Sequence, residues 1–212
     1  MFGIDETRYE VIDISARVHL GQTGDRPFEA SRGCLADRSW KYDITNTHTH
    51  VGTHVEASSH FFDDGKSIDQ YPLSAFYGRG LLLHVNLNDS KYIDADYLER
   101  QIGRLSRPGD IVVCRNERPF GPENKRFFNE DSAVWLRDRE TKMVALGPNV
   151  SLGDSTESGR RFHEILMRNT TFLEIIDNLE KISRPEFFVL ALPFLVCGID
   201  SGWCRAIVIQ DR

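Results

Sequence analysis

Four of the seven histidines in this chain fall between positions 48 and 60, in the run His48-Thr-His50-Val-Gly-Thr-His54-Val-Glu56-Ala-Ser-Ser-His60. The pattern predicts a strand over Thr47–Glu56, because side chains alternate between two faces along an extended backbone. His48, His50, Gly52, His54 and Glu56 then share one face, and Thr49, Val51, Thr53 and Val55 the other. A ligand-bearing face backed by a packing face can present groups into a cleft. An exposed polar strand would account for one histidine, but three in phase with a glutamate point to a metal. Imidazole with carboxylate suits zinc, manganese or iron, whereas magnesium and calcium favour oxygen alone. Ideal strand would hold His50 and His54 about 13 Å apart. Both reach one ion only if the chain bends, and Gly52 is the residue that permits it. His48 has the weakest claim, as a group orienting a ligand or as an exposed side chain.

The rest of the pattern predicts strands at Tyr9–Ile14, Trp40–Ile44, Gly80–Asn86, Asp110–Arg115, Met143–Leu146, Phe187–Val196 and Trp203–Ile209. Helices are expected after Asp94 as an N-cap, over Asp131–Arg139 with Asn129 as cap, and over Arg160–Asn169. Strands massed at both ends, with strand–helix alternation between, predict an α/β fold with mixed β-sheets and flanking helices. Without a linker or repeat, residues 1–212 read as a single domain.

Net charge is −6, which argues against nucleic acid or an anionic membrane as partner. Phe187–Ile199 is too short to span a bilayer and contains Pro193, and Met1–Asp13 has no signal-peptide core. A soluble, cytoplasmic protein is expected. The four cysteines form no Cys-x-x-Cys pair, and Cys114 and Cys197 lie in apolar runs that suggest core rather than a nucleophile. No Gly-x-Ser-x-Gly elbow offers a serine nucleophile.

The run from His50 to Phe61 resembles the signature of the cyclase-like, kynurenine formamidase-type metal-dependent hydrolases, His-x-Gly-Thr-His-x-Asp-x-Pro-x-His-Phe. Asp64-Gly65-Lys66-Ser67-Ile68-Asp69, Gly78-Arg79-Gly80, Asp13-Ile14-Ser15, Pro108-Gly109-Asp110 and Ala191-Leu192-Pro193 extend the likeness over nearly the whole chain. The resemblance implies a swivelling β/β/α domain that assembles as a homodimer or homotetramer and holds one or two divalent ions, zinc or manganese. It implies that His50, His54 and Glu56 bind metal and that His60 is the catalytic acid/base. A second metal-side pair maps to His163 and Glu174, with Asp177 as the substitute carboxylate. Glu56 departs from the usual aspartate and Ser58 from the usual proline, which removes a fixed φ ahead of His60.

The reaction expected is hydrolysis of a non-peptide amide, an arylformamide such as N-formylkynurenine or a cyclic amide. A divalent ion acidifies bound water and polarises a carbonyl, and His60 would relay a proton to the leaving nitrogen. Phe28, Trp40, Phe61 and Phe62 are candidates for an apolar wall around an aromatic substrate. His84 is expected to be structural, and His19 to line the pocket or an interface. Two alternatives stand beside this reading. Glu56 and Ser58 would fit a catalytically weak or inactive metal-binding homologue. Two histidines and a carboxylate also make the site of a non-haem iron oxygenase. The cupin spacing, however, needs its glutamate where His54 or Val55 stands, and the glutamate is at 56.

Overall fold

The computed structural model describes residues 3–86 and 90–212; Met1 and Phe2, at the head of the stretch read as lacking a signal core, lie outside the described residues. In chain order the elements are β1 (Tyr9–Asp13), β2 (Glu29–Cys34), β3 (Trp40–Asn46), β4 (His54–Glu56), β5 (Tyr77–Val85), β6 (Tyr92–Ile93) and α1 (Ala95–Ile102). There follow β7 (Ile111–Asn116), β8 (Arg126–Phe128), α2 (Glu130–Asp138), β9 (Met143–Leu146), β10 (Val150–Leu152) and α3 (Thr156–Leu166). The chain ends with β11 (Thr171–Glu174), β12 (Glu186–Leu190), β13 (Ser201–Trp203) and β14 (Ile207–Asp211).

Nine strands form one mixed sheet in the order β1-β14-β12-β5-β7-β9-β11-β4-β13. Its centre, β5-β7-β9-β11, is parallel, and both flanks are antiparallel. Central strands in a parallel sheet are covered on both faces and read as continuous apolar runs, as Leu81-Leu82-Leu83 and Ile111-Val112-Val113 do. Leu81, Leu83, Val112, Cys114, Val144 and Phe172 face one way, into a core closed by Tyr97 and Leu98 of α1, Leu136 of α2 and Phe162 of α3. Leu82, Val113, Ala145 and Leu173 face the other way, into a core that also contains Ile12, Val189 and Val208. Residues from both flanks of the sheet share that second core with Val55, so the sheet curls around it.

The three helices start on the side-chain caps that their sequences offer. Asp94 Oδ1 accepts from the Tyr97 N–H at 2.7 Å, Asn129 Oδ1 from Ser132 at 3.0 Å, and Ser155 Oγ from Ser158 at 3.2 Å. Among the described residues no helix is long and apolar enough to cross a membrane.

Several expected boundaries are corrected. Of Thr47–Glu56 only His54–Glu56 is strand. Of Phe187–Val196 the regular strand ends at Leu190, with only an isolated bridge from Pro193 to Cys204 beyond it, and Trp203–Ile209 is two strands interrupted at Cys204–Ala206. Cys114 is buried as expected, whereas Cys197 is exposed, on the irregular segment after β12. The short strands β2, β6, β8, β10 and β11 were not anticipated; β11 is the important one, because it flanks β4.

Candidate metal centre

The site begins with the turn that replaces the first part of the expected strand. Gly52 has φ of +66°, in the left-handed region, and a Cβ on it would lie 2.3 Å from Cγ2 of Val18. Only glycine takes that conformation without strain, and any larger residue here would also have to displace the Val18 side chain. The turn folds His50 back beside His54, with ring centroids 4.9 Å apart. The bend that the metal reading required is present.

β4 then runs between β11 and β13. His54 is paired with Glu174 on one side and Trp203 on the other, and Glu56 with Phe172 and Ser201. Cross-strand partners project from the same face, which places the Glu174 carboxylate 4.0 Å from Nε2 of His54. A short 3-10 turn, Ser58–His60, brings His60 over the same face, its Nε2 3.9 Å from Oε1 of Glu56. Two triads of possible ligands result, His50–Glu56–His60 and His54–Glu56–Glu174, and Glu56 belongs to both.

Where the protons lie decides what these triads can hold. Nδ1 of His54 is 2.8 Å from the Gly52 carbonyl, which only accepts, so Nδ1 carries the hydrogen and Nε2 turns a lone pair into the site. Nε2 of His50 and Nδ1 of His60 lie 3.0 and 2.7 Å from Oδ2 of Asp200, so the outer nitrogen of each ring donates outward and the inner one faces Glu56. Facing one another are therefore Nδ1 of His50, Nε2 of His54 and Oε1 of Glu56, at mutual distances of 3.2, 2.8 and 3.3 Å. Neighbouring ligand atoms of a tetrahedral ion with bonds of about 2.1 Å stand about 3.3 Å apart. Three lone-pair groups this close need either shared protons or a shared cation, and the residues present fit a metal.

The electrostatics carry the same tension. Hydrogen bonding to Glu56 raises the pKa of His50 against the effect of burial, with Asp200 adding to it. Burial presses the Glu56 carboxyl upward, but hydrogen bonding to His50 and His54 outweighs it and keeps the group ionised. Glu174 is raised by burial and by the charge of Glu56. These two carboxylates repel one another, as a pair around a cation would without it.

His163, on α3, donates from Nδ1 to the Gly159 carbonyl at 2.6 Å and stacks on Phe61 with ring centroids 5.3 Å apart. Burial lowers its pKa, which favours the neutral ring that a metal ligand must be. It lines the same cavity as the triads but belongs to neither. His48 accepts from the His50 backbone N–H at 3.2 Å and bonds to the Asp25 carbonyl at 2.9 Å, so it steadies the turn.

The aromatic wall expected from Phe28, Trp40, Phe61 and Phe62 is not what the structure builds. Phe28 packs on Trp203 beside a separate groove along β1, which His19 also lines. Trp40 is exposed on the β2–β3 hairpin beneath the Arg32 guanidinium, and Phe61 backs His163. His84 is on β5, hydrogen-bonded to Glu117 at 3.0 Å, as a structural residue would be. Asp177 lies further along the chain beyond β11, in the wall of the adjoining cavity.

Sequence reasoning missed Asp200, which binds both His50 and His60. It sits in a loop with no periodicity, and nothing but its tertiary position marks it.

Residues 11–147 match the family described as "Putative cyclase". The chain belongs to the cyclase family. It is similar to the kynurenine formamidase of Bacillus cytotoxicus, 24% identical over 194 residues that cover 87% of this chain and 88% of that protein. A kynurenine formamidase from Geobacillus thermodenitrificans is 25% identical over 202 residues, covering 92% and 95%. Among solved structures, an isatin hydrolase bound to the product analogue thioisatinate superposes with a TM-score of 0.77 at 15% identity, covering 98% of this chain and 94% of that one. A potential metal-dependent hydrolase with cyclase activity gives 0.72 at 23% identity, covering 96% and 98%. The mixed α/β fold is shared with these neighbours.

Proposed function

We propose that this cyclase-family protein is a metal-dependent hydrolase of a non-peptide carbon–nitrogen bond, with an arylformamide or a cyclic amide as substrate. The observation that carries the reading is the convergence of His50 Nδ1, His54 Nε2 and Glu56 Oε1, with the outer ring nitrogens of both histidines already engaged. Relatives called kynurenine formamidase and isatin hydrolase support the substrate class, since isatin is a cyclic amide.

His50, His54 and Glu56 are assigned as ligands, with Glu174 and His163 completing a second position. A zinc or manganese ion held there would supply Lewis-acid polarisation of the carbonyl and would acidify water. His60 takes at Nε2, the nitrogen that faces Glu56, the proton lost by the water that attacks the carbonyl carbon, and delivers it to the leaving nitrogen as the carbon–nitrogen bond breaks. Asp200 holds the Nδ1–H of His60 and offsets the charge of the imidazolium that forms. Alternating exposed side chains Trp40, Tyr42 and Ile44 on β3 support a homodimer or homotetramer assembled through the hairpin; the cytoplasm is the proposed compartment. The oxygenase alternative gains no observation of its own.

Metal analysis joined to hydrolysis of N-formylkynurenine and isatin tests the proposal. Bound zinc or manganese is expected, with activity lost on chelation and restored by the ion. Bound iron with oxygen-dependent turnover refutes hydrolysis. Tight metal without turnover across amides and lactones marks the protein as an inactive homologue. A monomer in light scattering removes the assembly.

A further inference from the structure

Two cavities meet at the metal centre. The first, about 500 Å³, is polar and holds His50, Glu56 and His60. The second, about 580 Å³, has apolar walls that include Phe120, Leu146, Pro148, Leu152 and Ile176. Arg26, His163 and Glu174 line both, so they mark the boundary.

Arg26 is the one fixed cation lining either cavity among the described residues. Its guanidinium donates to the His50 carbonyl and makes no ion pair with any described carboxylate. Where arginines of this acidic chain do meet a carboxylate, they hold it closely: Arg79 holds Asp110 at 2.8 Å, and Arg168 holds Asp64 at 2.9 Å. A guanidinium has more N–H donors than one carbonyl can use, and those of Arg26 border the space where substrate must pass. The neighbouring acid, Glu174, feels the charge of Arg26 but makes no ion pair with it, its carboxylate lying 4.0 Å from Nε2 of His54. The segment bearing Arg26 is tied down by His48 on the Asp25 carbonyl, so the charge is presented from a fixed place.

We infer that Arg26 is a specificity-determining residue that receives a carboxylate on an aryl-amide substrate whose apolar body lies in the second cavity. Arg–carboxylate pairing is charge-assisted and can be bidentate, which fixes orientation as well as affinity. The inference rests on the hydrolase reading above. It adds to that reading the residue that selects an anionic amide, such as the carboxylate-bearing N-formylkynurenine, over a neutral one.

The test compares N-formylanthranilate with formanilide, which differ by one ring carboxylate, on the metal-loaded full chain. Wild type should favour N-formylanthranilate by about tenfold in kcat/KM. In Arg26→Gln the ratio should approach one through a rise in KM for the anionic substrate, and Arg26→Lys should recover part of it. A wild type that does not discriminate, or a ratio unchanged in Arg26→Gln, overturns the inference. If neither compound is hydrolysed, the hydrolase reading is at fault, and calorimetric titration with benzoate and benzamide decides the role of Arg26 separately. There, Arg26→Gln should weaken benzoate about tenfold relative to benzamide, and equal affinities in the two proteins would refute it.

Discussion

Replacing Gly52 by alanine tests the step on which the whole site depends, the turn that folds His50 onto His54. Two costs follow from the structure. At φ of +66° a β-carbon is strained by about 1–2 kcal/mol. That carbon would also lie 2.3 Å from Cγ2 of Val18, well inside the roughly 3.5–4.0 Å of a normal carbon contact. Overpacking costs about 1–3 kcal/mol, and Val18 is 37% exposed and can swing aside, so the lower end applies. The total is about 2–3 kcal/mol, or roughly 5–10 °C in Tm for a chain of this size. Function should suffer more than stability, because the Gly52 carbonyl also fixes the His54 ring at 2.8 Å. Losing such an outer partner typically weakens metal binding by about 10–100-fold. Thermal melts with and without added zinc, together with competitive metal titration, read both effects. Val18→Ala in the Gly52→Ala background should return only the steric part and leave about 1–2 kcal/mol of backbone cost. A Gly52→Ala protein that melts within about 1 °C of wild type and binds zinc as tightly would refute the claim that this turn builds the site.

Two further outcomes can be stated. Asp200→Asn keeps the size of the side chain and removes the charge that holds Nδ1 of His60 at 2.7 Å; turnover should fall about 10–100-fold in steady-state assays while the protein still folds, and undiminished kcat would show that His60 does not depend on it. Hydrogen bonding to Arg205 lowers the Asp13 carboxyl from 3.8 to about 2, so its contribution is complete above 3.8 and is lost as pH falls toward 2. Both partners are substantially exposed, so the effect is small. Asp13→Asn should flatten the acid limb of a denaturant-derived stability profile there, and a limb identical to wild type would assign that dependence elsewhere.

The parts legible in the sequence are those set by local physics. Met143–Leu146 is apolar throughout because it lies between two cores, and its observed bounds are those predicted. Asp94 and Asn129 cap helices because their side chains reach the first free N–H groups, a short-range effect that needs no tertiary information. Thr47–Glu56 shows the opposite. Its alternation is real, yet the strand forms only at His54–Glu56, where β11 and β13 supply partners. Strand phase accounts for only part of the way His50, His54 and Glu56 come together. Strand phase explains why His54 and Glu56 point together, but His50 arrives by the turn at Gly52. Asp200 and Arg26 stayed hidden because each belongs to a loop, and their proximity to His50 spans 150 and 24 residues of chain.

The two departures from the family signature can be understood together. Glu56 has a longer side chain than aspartate, but β4 pins its backbone between Phe172 and Ser201, so the extra methylene extends the carboxylate rather than moving the strand. Its Oε1 consequently reaches 2.8 Å from His50, 3.3 Å from His54 and 3.9 Å from His60, the shared corner of both triads. Ser58, where proline would fix φ, gains rigidity by hydrogen bonding instead. Its N–H donates to the Tyr71 hydroxyl at 3.2 Å, and its Oγ accepts from the Lys66 N–H at 2.7 Å. Proline could make neither bond. Gly65 packs so closely on the Ser58 carbonyl that a Cβ there would lie 2.5 Å from the oxygen. The turn carrying His60 is thus held from three sides, and substituting proline at 58 would exchange two partly buried hydrogen bonds for one fixed torsion. Here the longer acid and the hydrogen-bonded serine meet at one place, the 3.9 Å gap between Oε1 of Glu56 and Nε2 of His60.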